Sequence, residues 1–465
     1  MSTVGRHNRT MASRVLLPPE LLERVAPCIE DAPTFFAFLE ALGNPTARGP
    51  FDPLWEMGLT TNRNNLWPIL RLDNLDNALH DDLTRLLPLY SRVQVYDAFD
   101  IAWLTQHLPR HVKLDWLDPP QRYVAGMELE DWYNAWATLP VSSITVRNVS
   151  SGRFTNVLPR LHCLESLTVQ VNAVDGVKAV LEYAAKSPTL VKLALSNEVL
   201  VPWHVTPAMV QLVLQWLERQ PVSHLALKAM NFGQLRHHDG GVLLAEFCTK
   251  LLASPTLDEL HLIDINLSDM AHIASSIGMR KVELRGLAFP CVLQLLDSKV
   301  APRLKQLDLW DVAIPNDPSL IQLLIELITK STTLMHLALR QSQVDLGKWH
   351  NILPFLPALP LESLHLGGAL DFRVPDEFAF LVAQGLEANQ TLACFMCYGL
   401  VISVDAALTL LQCLARRSIV MRSLAFTLVH DATIEQKKAI RAFAKRLGTT
   451  LIMVIEKPPV QATGV

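Results

Sequence analysis

Charge is scarce in this sequence: 18% of its 465 residues are Asp, Glu, Lys or Arg. The signs nearly cancel, leaving a net charge of -4 and a pI near 6.4. No basic field exists to hold a phosphate backbone, which argues against nucleic acid as a partner. Cysteine is also sparse. Cys28, Cys163, Cys248, Cys291, Cys394, Cys397 and Cys413 are odd in number, scattered, and mostly flanked by apolar residues. That is the pattern of small buried hydrophobes in a reducing compartment rather than of a disulfide framework. No apolar run reaches roughly 18 residues, the length that spans a bilayer, so no membrane partner is expected. The opening residues carry Arg6, Arg9 and Arg14 around no apolar core, which speaks against a secretory signal and for a cytoplasmic or nuclear protein.

Motifs that carry chemistry are missing too. There is no Gly-rich phosphate loop, no G-x-S-x-G elbow and no H-E-x-x-H helix. Cys394-Phe-Met-Cys397 reads as one strand, with Cys397 inward and Cys394 outward, and no second Cys or His pair stands at metal spacing. His237-His238-Asp239 reads as a polar loop before a helix, with no third ligand placed near it. No catalytic, cofactor-binding or metal-binding residue is expected, and the chain does not read as an enzyme.

What the sequence does hold is apolar residues, 50% of the total, arranged in a repeat. Leu304, Leu307 and Leu309 make an L-x-x-L-x-L strand pattern. Asp317 can then cap a helix whose first residue is Pro318 and whose apolar side includes Leu320, Ile321, Leu324 and Ile328. Aligned on the middle apolar residue, the pattern recurs at Val93, Val112, Ile144, Leu167, Leu193, Leu225, Leu260, Val282, Leu307, Leu337, Leu364, Phe395, Leu424 and Val454, a period of about 28 residues. The entry turn into the strand is repeated nearly verbatim in Ser187-Pro-Thr-Leu190, Ser254-Pro-Thr-Leu257, Ser331-Thr-Thr-Leu334 and Asn389-Gln-Thr-Leu392. One such unit cannot bury its apolar faces, but stacked copies can.

A strand and a helix at this period resemble the ribonuclease-inhibitor-like class of leucine-rich repeats. The resemblance implies an α/β leucine-rich-repeat solenoid, a curved parallel sheet with outer helices, over residues 87–456. Where that family places an Asn or Cys after L-x-L, this chain has Asn172 but then Glu198, Met230, Ile265, Leu287, Val312, Ser342, Ala369 and Leu400, so apolar packing is expected largely in place of an Asn ladder. Upstream, Leu17-Pro18-x-Glu20-Leu21-Leu22-x-x-Val25 resembles the opening of the F-box motif, with Phe35, Phe36, Phe38 and Leu39 for a second helix and Trp55 or Trp67 as a later aromatic. The implied organisation is a disordered tail at 1–16, a small F-box-like helical domain at 17–45, an irregular connector or cap at 46–86, the solenoid, and a tail at 457–465. By that resemblance Leu17, Pro18, Leu21, Leu22 and Val25 would meet a Skp-type adaptor.

In the solenoid, residues between and just after the leucines should form columns on the open side of the sheet. One column reads Ala226, His261, Glu283, Asp308, Ala338, His365 and Met396. The next reads Ile263, Arg285, Trp310, Arg340, Gly367, Tyr398 and Thr427. His261, Glu283, Arg285, Asp308, Trp310, Arg340, His365 and Tyr398 are therefore the expected protein-binding residues, with an exposed Trp310 as the anchor. The two functions in play are substrate recognition for a Skp-cullin-F-box-type ubiquitin ligase, and a leucine-rich-repeat scaffold or inhibitor with no ligase coupling.

Overall fold

A computed structural model describes residues 18–455, apart from 74–79, 125, 150–151, 172–173, 198–202, 220, 233–234, 236–239, 267–275, 341 and 343–349. The expected tails at 1–16 and 457–465, Leu17, and the His237-His238-Asp239 loop lie outside the described residues. The chain divides into two compact units, Met1–Leu167 and Thr168–Val465.

The first unit opens with the helix Pro19–Val25. Pro19 sits at its first position, where a missing N–H costs nothing, and Pro27 follows inside a single 3-10 turn, Ala26–Cys28, that ends the run. Asp31 caps the next helix, Ala32–Leu42, by accepting the Thr34 N–H at 2.8 Å. Gly43 closes that helix at φ 81°, a left-handed conformation that only glycine adopts freely. Phe35, Phe36 and Leu39 are its buried side, and Phe35 stacks on Trp67 with ring centroids 3.9 Å apart. The Trp67 indole donates to the Ile29 carbonyl at 2.7 Å, tying residues far apart in sequence to one aromatic core.

The stretch 46–86, expected as an irregular connector, holds the helices Asp52–Met57 and His80–Leu86 and also the first ladder strand, β1 (Leu70–Leu72). β1 pairs in parallel with β2 (Arg92–Tyr96), β2 with β3 (Lys113–Leu117), and β3 with β4 (Val141–Val149). Behind them Trp116 of β3 packs edge-on against Trp132 and Trp136 of the helix Leu129–Trp136.

The division between units falls inside β5 (Ser166–Val171). The ladder continues in the second unit with β6 (Lys192–Ser196), β8 (His224–Leu227), β10 (Glu259–Asn266), β11 (Lys281–Arg285), β12 (Gln306–Trp310), β13 (His336–Arg340), β14 (Ser363–Arg373), β15 (Cys394–Ile402), β16 (Ser423–Leu428) and β17 (Thr450–Ile455). Two short strands, β7 (Trp203–His204) and β9 (Met230–Asn231), pair separately. Fifteen ladder strands in all follow chain order, with helical segments between most successive strands among the described residues, which is a solenoid-like α/β fold. Parallel pairing demands such crossovers. The helices form a layer against the inward side chains: Val177, Leu181, Met209, Val210 and Val213 converge with Phe247 on Leu227 of β8.

Two local devices repeat. At the entry to a strand, the Ser or Asn of the recurring turn accepts the N–H of the Leu three residues on: Ser187 from Leu190, Ser254 from Leu257, Ser331 from Leu334, and Asn389 from Leu392 at 2.8 Å. All four are buried, and Asn389 also donates to the Leu356 and Leu359 carbonyls. At the exit, Asp97, Asp118, Gly286 and Asp311 each take a positive φ immediately after the strand. Each N–H donates to a carbonyl of the next strand, so the chain leaves the sheet without losing a ladder bond.

The expected register needs five corrections. Leu114, not Val112, stands opposite Val93, and Ile144 pairs with Trp116 after an irregularity in β4. At the other end, Leu451, not Val454, faces Leu424. Arg285 pairs with Asn266 rather than Ile263, because β10 bulges. Thr427 pairs with Val401 and is buried, accepting the Gly399 N–H, because β15 shifts register between Met396 and Val401. The misses at Arg285 and Thr427 come from inserted residues that break the ladder, whereas Val112 lies two residues, on the same side, before the residue that pairs. At the position of the missing Asn ladder, Met230, Leu287 and Val312 are buried as expected, while Ser342 keeps one such bond by accepting the Val312 N–H at 3.3 Å.

Candidate functional site

Among the residues expected to meet an adaptor, the helix Pro19–Val25 sorts neighbours to opposite sides. Leu22 is 1% exposed, whereas Leu21 and Val25 are 45% and 42% exposed. Leu22 reaches toward Gly49, its Cδ1 lying 3.7 Å from where a Cβ would stand on that glycine. Pro18, Leu21 and Val25 follow a three-then-four spacing, the spacing of one helix stripe, and all three are exposed. The structure thus joins Pro18, Leu21 and Val25 on a surface and assigns Leu22 to the core.

In the second unit, outward columns meet across the strands. His261, Glu283 and Asp308 are register partners in sequence, and so are Arg285, Trp310 and Arg340. His261 Nδ1 lies 2.5 Å from Glu283 Oε2, while the Trp310 indole N–H donates to Glu283 Oε1 at 3.1 Å. The Arg340 guanidinium lies over the Trp310 ring, 5.2 Å from its centroid, and its Nε donates to Asp308 at 3.3 Å. One chain of contacts therefore links His261, Glu283, Trp310, Arg340 and Asp308. Arg285 pairs with Asp311, the positive-φ residue at the exit of β12.

His261 and Asp308 are buried and Trp310 is half-buried, so the anchor expected to stand exposed is clamped between a carboxylate and a guanidinium. His365 lines a hollow with Asp308, His336 and Arg340, and its Nε2 lies 3.5 Å from Cys394 Sγ. Tyr398, two strands beyond Arg340 in β15, bonds only to Met396 of its own strand among the contacts described. As expected, Cys397 is buried and Cys394 is not.

Electrostatics follow from this packing. Burial opposes the Glu283 carboxylate, yet the bond from His261, that ring's charge and the bond from Trp310 outweigh it and hold its pKa below the usual value. Burial lowers the pKa of His365, with the charge of Arg340 acting in the same direction against that of Asp308.

Two residues that the column reading missed belong to the same face. His224 and Glu259 open β8 and β10 and pair in register, with His224 Nδ1 3.2 Å from Glu259 Oε2. His261 is two residues beyond Glu259 and on the same side, its Nε2 3.8 Å from Glu259 Oε2. The signal was present: the column just before the first inward leucine reads Lys192, His224, Glu259, Lys281, Gln306 and His336. Stacking that column would have placed an imidazole beside a carboxylate. No helix among the described residues is long and apolar enough to cross a membrane. No protein-family model matches this chain, and no curated protein matches it.

Proposed function

We propose that this chain is the substrate-recognition subunit of a Skp-cullin-F-box-type ubiquitin ligase, acting in the cytoplasm or nucleus. Its parts would be an F-box-like helical region and a solenoid of ribonuclease-inhibitor-like leucine-rich repeats. The observation that carries this reading is the helix Pro19–Val25, where Leu21 and Val25 stand open beside Pro18 while Leu22 anchors the helix. Bare aliphatic side chains one turn apart are what an apolar groove on an adaptor takes up. A scaffold or inhibitor without ligase coupling does not require that stripe. The strand face of the second unit, with its linked ions and half-buried Trp310, supports the second role, holding the protein to be modified. Such a receptor makes no bonds itself; it raises the rate of transfer by proximity.

The test is capture of purified Skp-type adaptor by the full chain, compared with Leu21→Ala plus Val25→Ala. The expected result is binding by the wild type and a loss of at least tenfold in the double variant at unchanged melting temperature. A folded wild-type chain that does not bind the adaptor ends the ligase reading and leaves the scaffold one.

A further inference from the structure

Four side chains on the strand face form an arrangement that hydrogen bonding alone does not complete. Glu283 Oε2 lies 2.5 Å from His261 Nδ1. A carboxylate there accepts from Nδ1, so Nε2 is the ring atom left to face a ligand. The ring is 7% exposed, and Nε2 is buried without a hydrogen-bond partner. Buried ring nitrogens are normally satisfied, so an orphan aimed at other donors asks for an acceptor of its lone pair. What Nε2 faces is a second imidazole and a carboxylate: the donor atoms of His224, Glu259 and His261 all lie within 4.8 Å of one another.

We propose that His224, Glu259 and His261 bind a divalent transition-metal ion of the zinc class, with Glu283 as the outer-shell carboxylate that orients His261. Two imidazoles and one carboxylate are the donor set that such ions accept, and bond lengths near 2.0–2.1 Å put tetrahedral donors about 3.3 Å apart. The separations from Glu259 Oε2, 3.2 Å to His224 and 3.8 Å to His261, are close to that without backbone movement. The ion takes up its place between His224 Nδ1 and Glu259 Oε2, where the two now share a hydrogen bond. Trp310 holds Glu283 from its other oxygen, extending the chain that orients His261. His224 and Glu259 are partly exposed, which leaves the fourth position of the ion toward the open face of the sheet. The neighbour of His261 on β8 is Ala226, whose methyl does not crowd the site. This inference stands whether or not the chain binds an adaptor.

The experiment uses the full chain without an affinity tag, stripped with chelator. It is titrated with Zn²⁺ by calorimetry and with Co²⁺ by visible absorption. The expected result is one saturable equivalent and the intense visible bands of four-coordinate Co²⁺. His224→Ala and Glu259→Gln should abolish that equivalent, and Glu283→Gln should weaken it about 10- to 100-fold while leaving the three ligands in place. His224 is partly exposed, so its variant keeps the test open should His261→Ala not fold. Absence of a saturable equivalent in the wild type overturns the proposal. So does a binding isotherm unchanged in His224→Ala and Glu259→Gln, which would place the ion on other histidines.

Discussion

The helix that opens the first unit and the strand face of the second expose different materials. On the helix the side chains of Leu21 and Val25 are bare hydrocarbon: they make no polar bond, and a partner covering them gains apolar burial with nothing to break. On the strands from β10 to β13 the outward groups are already joined, from His261 through Glu283, Trp310 and Arg340 to Asp308. A partner there must exchange bonds for bonds, so it gains little affinity per contact and much discrimination. The first surface suits a constant partner and the second a chosen one.

The sharpest way to break this comparison is at two adjacent leucines. Leu22→Ala should cost about 2–5 kcal/mol of stability because it empties a buried site, and Leu21→Ala less than about 0.5 kcal/mol because its side chain is open. Urea unfolding monitored by tryptophan fluorescence measures both. Equal losses would mean that Leu21 is packed and the helix offers no free stripe.

On the strand face the middling effect is expected at Glu283. Glu283→Ala strands the His261 Nδ1–H and the Trp310 indole N–H together, at a cost of about 1–3 kcal/mol. Glu283→Gln keeps an acceptor and should recover part of that loss in the same denaturation assay. If both variants unfold at the wild-type urea midpoint, the outward groups are independent and the contrast with the helix disappears.

How far each region could be read from residues follows from the same contrast. The helical region was legible because its signals are local: Pro27 ending the first helix, Asp31 before the next apolar run and Gly43 after it. The inward rows of the ladder were legible because alternation sets them, and Leu307, Leu337 and Leu364 fall in line as expected. Bulges were not legible. Nothing in the residues around Asn266 announces the extra ones in β10, and three inserted residues between Leu262 and Asn266 moved Arg285 away from Ile263. Contacts across strands were half legible. The columns gave the register of Glu283 with Asp308, but which atoms meet depends on rotamers, and the column holding His224 and Glu259 precedes the leucine used for alignment. The repeated Ser and Asn of the strand-entry turn were visible as a pattern. Their role, a buried acceptor for the Leu N–H three residues on, needed coordinates.

The smallest expected effect is one that hydrocarbon cannot show. Burial and the Arg340 charge depress the pKa of His365 below 6.5, opposed by Asp308 and helped by His336. Between that lowered value and 6.5 the unfolded chain holds a proton that the folded chain refuses, so stability falls as pH drops through the window and rises again toward 6.5. His365→Gln removes the linkage, and its unfolding midpoint should depend less on pH there than that of the wild type. Leu21 and Val25 carry no proton, so Leu21→Ala plus Val25→Ala should keep the wild-type slope. Identical slopes in the wild type and His365→Gln would mean that His365 titrates as a solvent-exposed ring, and the hollow beside Arg340 would then count as open water rather than as part of the linked face.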